Sequence, residues 1–102
     1  ALGAPDYAAL LNAGTGTEYT AEELLTVGER IYNIERLFNK AAGMKPEDDR
    51  LPKRLTEEPI SSGPSKGQIS QINVTLPKYY EVRGWDNDFP TKETLERLVL
   101  AE

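Results

Sequence analysis

Thr20-Ala21-Glu22-Glu23, followed by Leu24-Leu25-Thr26-Val27-Gly28-Glu29-Arg30-Ile31-Tyr32-Asn33-Ile34-Glu35-Arg36-Leu37-Phe38-Asn39-Lys40-Ala41-Ala42-Gly43, decides the fold. Its first four residues form a capping box: the Thr20 hydroxyl can accept from the Glu23 amide while the Glu23 carboxylate returns to the Thr20 amide. Leu24, Val27, Ile31, Ile34, Phe38 and Ala41 then recur at helical spacing, with Leu25, Tyr32 and Leu37 on a second flank, so a broad apolar face is expected to pack on more than one side. Gly43 and Pro46 end the run. A helix over 21–42 would be about 33 Å long. Gly28, inside it, predicts close approach of a second helix backbone, and Glu29, Arg36 and Lys40 predict a solvated or interdomain face.

Upstream, Pro5-Asp6 leads into Tyr7-Ala8-Ala9-Leu10-Leu11-Asn12-Ala13, a short helix stopped by Gly14-Thr15-Gly16. Downstream, residues 45–67 hold Pro46, Pro52, Pro59, Pro64 and the string Ser61-Ser62-Gly63-Pro64-Ser65-Lys66-Gly67, which reads as an arm without regular structure. Leu51, Leu55 and Ile60 would pin that arm to a surface. Ile72, Val74 and Leu76 alternate with polar residues and predict an extended run entering a helix over 76–82, packed through Tyr79, Tyr80, Val82 and Trp85 and stopped by Gly84. Thr91 caps a last helix whose buried stripe would be Leu95, Leu98 and Val99. The expected fold is all-α, a single small domain over 1–102 with about four helices, one long and central, and an extended Pro/Gly-rich arm.

Composition excludes much chemistry. The 102 residues contain no cysteine and no histidine, which removes thiolate nucleophiles, disulfides, zinc–thiolate and iron–sulfur ligation, and the commonest general base. A net charge of -5 opposes binding to nucleic acid, and no apolar run approaches a membrane span. The expectation is a cytoplasmic protein. Because the chain opens on Ala1 and its one methionine is Met44, a processed protein or a piece of a longer one is expected.

Glu47-Asp48-Asp49 and Asp86-Asn87-Asp88 lack the alternating oxygens, central glycine and terminal Glu of a calcium loop; first-turn acid and ordinary turn chemistry account for them better. Arg50, Lys53 and Arg54 could clamp an anion, although neighbouring Glu47, Asp48, Asp49, Glu57 and Glu58 could neutralise them. Ser61, Ser62, Ser65 and Ser70 have no histidine to activate them. No self-contained active site is legible.

The run from Gly28 to Asn39 closely resembles the C-terminal region of the aldehyde ferredoxin oxidoreductases, a family of tungsten enzymes. The likeness continues through Leu10-Leu11-Asn12-Ala13, Thr15-Gly16, Asp48-Asp49, Leu51-Pro52-Lys53-Arg54, Glu57-Glu58-Pro59, Ser62-Gly63-Pro64, Lys66-Gly67, Tyr79-Tyr80, Arg83-Gly84-Trp85-Asp86 and Pro90-Thr91. Thr75 and Pro77 depart from it, as does the glycine-free end Leu98-Val99-Leu100-Ala101-Glu102. The resemblance implies a piece of an enzyme that oxidises aldehydes to carboxylic acids and passes electrons to ferredoxin. It also implies a tungsten bis-pterin and one [4Fe–4S] cluster held by residues upstream of Ala1, with no cofactor ligand in this segment. Partners would be the upstream domains of the same chain. Asp48, Asp49, Arg50, Lys53 and Arg54 become candidates for interdomain or near-cofactor contacts. The readings that compete with this one are a stand-alone helical module binding through exposed Tyr79, Tyr80 and Trp85, and an anion-binding module around Lys53.

Overall fold

The computed structural model describes residues 1–101. Helix α1 (Ala4–Thr15) is followed by the long α2 (Ala21–Ala41), a 3-10 turn (Pro46–Asp48), α3 (Lys53–Glu57) and α4 (Ile72–Arg83). A two-residue-loop hairpin, β1 (Trp85–Asp86) and β2 (Phe89–Pro90), precedes α5 (Lys92–Arg97). The fold is mainly α-helical, as expected, with one small antiparallel pair in which Trp85 faces Pro90 and Asp86 faces Phe89.

The capping box forms as read: the Glu23 amide donates to Thr20 Oγ1 at 3.1 Å and the Thr20 amide donates to Glu23 Oε2 at 2.8 Å. Helix α2 runs 21 residues from that cap. Its orientation, however, reverses the expectation. Ile31, Ile34 and Phe38 are exposed, Phe38 at 70%, whereas Asn33 is fully buried and Arg36 is largely covered. At about 100° per residue, positions 29, 33, 36 and 40 share one side of the helix and 27, 31, 34 and 38 the opposite one. The polar stripe faces the rest of this chain and the apolar side chains Ile31, Ile34 and Phe38 face away from it, while Leu24, Val27 and Leu37 are partly covered. Glu29 and Arg36 therefore do not form a solvated face, and Lys40, although exposed, lies over Phe89; each engages another element. Gly28 approaches nothing: no atom lies within 4 Å of where its Cβ would stand, so close helix packing is not its role within this chain.

The arm is more regular than its prolines suggest. Pro46 and Pro52 sit at starting positions, where the missing N–H costs nothing, and so initiate the 3-10 turn and α3 instead of breaking them. Beyond α3, the Ile60 amide donates to the Gln68 carbonyl at 3.0 Å and the Gly67 amide to the Ile60 carbonyl at 2.8 Å, closing a loop. Leu55 and Ile60 remain nearly half exposed, so they pin the arm to nothing in this chain.

Ile72, Val74 and Leu76 are helical, not extended. Ile72, Leu76, Tyr80 and Arg83 are partly covered while Val74 is 60% exposed, so the alternation is one face of a helix sampled at four-residue spacing. Val82, at 86% exposure, contributes no packing surface. Gly84 ends α4 at φ 70°, a left-handed conformation, and its carbonyl accepts from the Thr91 amide, Thr91 Oγ1 and Thr94 Oγ1 at 3.1, 3.1 and 2.6 Å. A Cβ at Gly84 would collide with Thr94 Oγ1, so both the turn and the close approach require glycine. Asn87 turns the hairpin at φ 56°, the turn chemistry expected of Asp86-Asn87-Asp88.

Thr91 caps α5 through the Thr94 amide at 3.2 Å. Leu98 is fully buried and Leu95 partly so, but Val99 is 78% exposed and lies outside the buried stripe. The end of α5 explains this. The Val99 amide donates to the Glu96 carbonyl at 3.1 Å and the Leu100 amide to the Leu95 carbonyl at 2.8 Å, the two bonds of a Schellman cap, which places Val99 at φ 58° where glycine is usual. A left-handed β-branched residue costs about 1–2 kcal/mol, more than the entropy a glycine loses. Val99→Gly is expected to stabilise the fold by about 0.5–1 kcal/mol, measured as a higher urea midpoint at unchanged slope. A lower midpoint would contradict this account of the cap.

Within the described residues the apolar core is thin: Ala8, Trp85 and Leu98 are its buried hydrophobic members. The radius of gyration is 18.1 Å, against about 13 Å for a self-contained domain of this length. The accessible surface is 7992 Å², whereas a folded monomer of 11.4 kDa exposes about 5,800 Å².

Candidate functional site

The chain's own chemistry converges where α2, the arm, α4 and the hairpin meet. Trp85, delivered by the left-handed stop at Gly84, is 6% exposed and donates its indole N–H to Asn33 Oδ1 at 2.9 Å. Asn33 in turn donates through Nδ2 to the Glu29 carbonyl at 2.8 Å, so both ends of a buried amide are satisfied. Arg36, one turn on, lays its guanidinium over the Trp85 ring at 4.6 Å, and Tyr79 meets the same ring edge-on at 5.7 Å.

Asp49 is held from two directions. Arg36 Nη2 donates to its Oδ2 at 2.9 Å, and the Tyr80 hydroxyl donates to the same oxygen. The Tyr80 phenol is raised well above its ordinary value, first because it is buried, then because it donates to Asp49 and stands beside that negative charge. A raised folded-state value stabilises the fold fully below about pH 10 and loses that contribution as the pH climbs through the folded-state value. In an alkaline absorbance titration, Tyr80→Phe is therefore expected to remove the latest-appearing phenolate; its persistence in the variant would reject the assignment.

The contacts on the polar side of α2 extend along its length. Glu29 receives both guanidinium nitrogens of Arg97, at 2.6 and 3.1 Å. That hydrogen bond outweighs desolvation and holds the Glu29 carboxyl below its usual range. Arg30 Nε donates to the Leu98 carbonyl at 2.9 Å, and Lys40 Nζ sits over the Phe89 ring at 4.8 Å.

The five residues singled out in the arm divide into two groups. Asp48 accepts from the Lys45 amide at 2.8 Å and caps the 3-10 turn; Asp49 clamps the arm to α2 and α4. Arg50, Lys53 and Arg54 are exposed and, among the described residues, form no ion pair with Glu47, Asp48, Glu57 or Glu58. The neutralising pairs considered from the sequence are not made. Arg54 lines a shallow cleft with Leu55, Pro59, Ile60 and Ile69. Of the aromatic trio considered as an exposed docking surface, Trp85 is buried, Tyr80 is partly covered, and Tyr79 keeps 38% exposure. The cluster of Asn33, Arg36, Asp49 and Tyr80 is not legible as a unit in the residue order. Its one sequence signal is that Asn33 and Arg36 share a helix side with Glu29 and Lys40.

No described group of three or more His, Cys, Asp or Glu side chains could hold a metal ion. The described residues therefore offer no ligand set for a metal ion or an iron–sulfur cluster. No helix among the described residues is long and apolar enough to cross a membrane.

Comparison with known proteins adds the family. Residues 1–100 match the family model for aldehyde ferredoxin oxidoreductase, domains 2 and 3. The chain is 52% identical over 103 residues to the tungsten-containing aldehyde ferredoxin oxidoreductase of Pyrococcus furiosus, covering 99% of this chain and 17% of that enzyme. The corresponding proteins of Pyrococcus abyssi and Thermococcus kodakarensis are 49% and 48% identical over 104 residues with the same coverage. The chain thus spans about a sixth of the length of these relatives. On the strength of a match that runs through both the long helix and the clamped arm, this chain belongs to the aldehyde ferredoxin oxidoreductase family.

Proposed function

We propose that this chain is the C-terminal helical layer of an aldehyde:ferredoxin oxidoreductase, a cytoplasmic enzyme that converts an aldehyde to a carboxylate and passes the electrons to ferredoxin. The layer turns over no substrate by itself. The observation that carries the reading is the mismatch between the chain's size and its surface. It exposes about 2,200 Å² more than a self-contained monomer of its mass. A domain built to stand alone would bury that area in its own core; a layer spanning 17% of its relatives would bury it against the remainder.

In this reading tungsten, pterin and cluster are held by the remainder, and the layer's part is support. Asp48, Asp49, Arg50, Lys53 and Arg54 form the loop that meets the neighbouring domains or the cofactor they hold. The structure suits that role because Asp49 is gripped by Arg36 and Tyr80, which fixes the arm from below, while Arg50, Lys53 and Arg54 point their charge outward without internal partners. The stand-alone interaction module has less to rest on, since its aromatic residues stack on one another.

The polypeptide carrying this chain should contain tungsten and iron and reduce ferredoxin in the presence of aldehydes. Absence of aldehyde-dependent reduction in a metal-loaded preparation would discard the assignment. Arg54→Ala in the same polypeptide should lower aldehyde oxidation or thermal stability; if both stay unchanged, Arg54 makes no such contact.

A further inference from the structure

We infer that the outward stripe of α2 centred on Ile31, Ile34 and Phe38 is the core of a permanent, dry interface, and that its occupant is an apolar surface of the same polypeptide outside these 102 residues. The inference rests on the proposed function and goes beyond it by naming which surface is covered and by what chemistry.

Three observations carry it. The first is the division of the helix. The side bearing Glu29, Asn33, Arg36 and Lys40 is engaged by Arg97, Trp85, Asp49 and Phe89, so α5, the hairpin and the start of the arm cannot turn to cover the opposite side without dismantling those contacts. The second is the exposure left on that opposite side: Ile31 and Ile34 at 51% and Phe38 at 70%, three large apolar side chains at spacings of three and four. A charged or solvating partner would leave these side chains without compensation for the water they displace, whereas an apolar one removes them from water outright. The third is magnitude. The chain as a whole exposes about 2,200 Å² more than a compact monomer of its mass, an excess in the range of obligate interfaces, about 2,000–5,000 Å² or more in total, and the stripe is an apolar part of that excess. The relatives carry about five times this chain's length elsewhere in the same polypeptide, enough to provide such a partner without a second gene product or a second copy.

The test is thiol protection in the whole polypeptide, read peptide by peptide by mass spectrometry so that native cysteines do not interfere. Ile34→Cys is compared with Val82→Cys, whose position is 86% exposed and lies on α4, away from the stripe. Under native conditions the Ile34→Cys thiol is expected to react at least about 100-fold more slowly than the Val82→Cys thiol and to reach the same rate in denaturant, as a site that opens only by local unfolding does. A native rate at Ile34→Cys equal to its own rate in denaturant would overturn the inference. Protection that is lost on dilution, together with a dimeric mass, would assign the stripe to a second copy and overturn it equally. Failure of the functional reading shows differently: a protected Ile34→Cys thiol in a polypeptide that does not oxidise aldehydes leaves the interface standing and removes the enzyme.

Discussion

Trp85→Ala is expected to destabilise the layer by about 3–5 kcal/mol, the cost of removing a large buried aromatic and leaving its space unfilled. The expectation follows from how many elements share one ring. Trp85 satisfies the buried Asn33 amide, carries the Arg36 guanidinium on its face and receives Tyr79 on its edge, so its loss loosens α2, α4 and the hairpin together. Other buried hydrophobic residues are scarce, Ala8 and Leu98 among them, so little of the core could redistribute around the gap. Trp85→Phe restores most of the volume but not the N–H, and it should still cost about 1–3 kcal/mol because Asn33 Oδ1 is then buried without a donor. Native-state amide exchange along α2 reads the effect: protection should fall in the order wild type, Trp85→Phe, Trp85→Ala. Equal protection in all three would show that the stability of the long helix does not pass through this ring.

The second large effect is expected at Asp49. Asp49→Ala removes the acceptor of both Arg36 and Tyr80, leaving a guanidinium whose side chain is 13% exposed without its carboxylate, at a cost of about 2–3 kcal/mol. Tyr80→Phe removes one donor but leaves Arg36 paired, so it should cost only about 1 kcal/mol. The order of the two distinguishes the mechanism. If Tyr80→Phe costs as much as Asp49→Ala, the phenol's hydrogen bond and not the ion pair fastens the arm. Because Asp49 fixes the arm that presents Arg50, Lys53 and Arg54, Asp49→Ala should also speed proteolysis between α3 and α4.

Much of the local structure is legible in the residues themselves. The box at Thr20 and Glu23, the stop at Gly84 and the cap at Thr91 depend on contacts within a few residues, and each forms where the sequence puts it. Other readings fail for physical reasons that can be named. Pro46 and Pro52 read as breakers of helix, yet Pro46 at a first helical position and Pro52 at an N-cap each start one. Ile72, Val74 and Leu76 fit a strand period, but residues four apart on a helix produce the same pattern over so short a run. The Asn33–Trp85 pair joins residues 52 apart and the Tyr80–Asp49 pair residues 31 apart, separations at which no spacing rule operates.

By itself the sequence determined the caps that start α2 and α5 and the stop that ends α4, that the chain has no cysteine or histidine with which to hold a metal centre, and which side of α2 is apolar. Only the tertiary structure decided which side of α2 faces inward, and it chose the polar one. The reason is energetic. Within 102 residues the ion pairs, the buried amide and the stacked guanidinium find complete partners, and the apolar stripe does not. Apolar residues recurring at helical spacing show that one face of a helix will be buried; only the arrangement of the whole body shows what buries it.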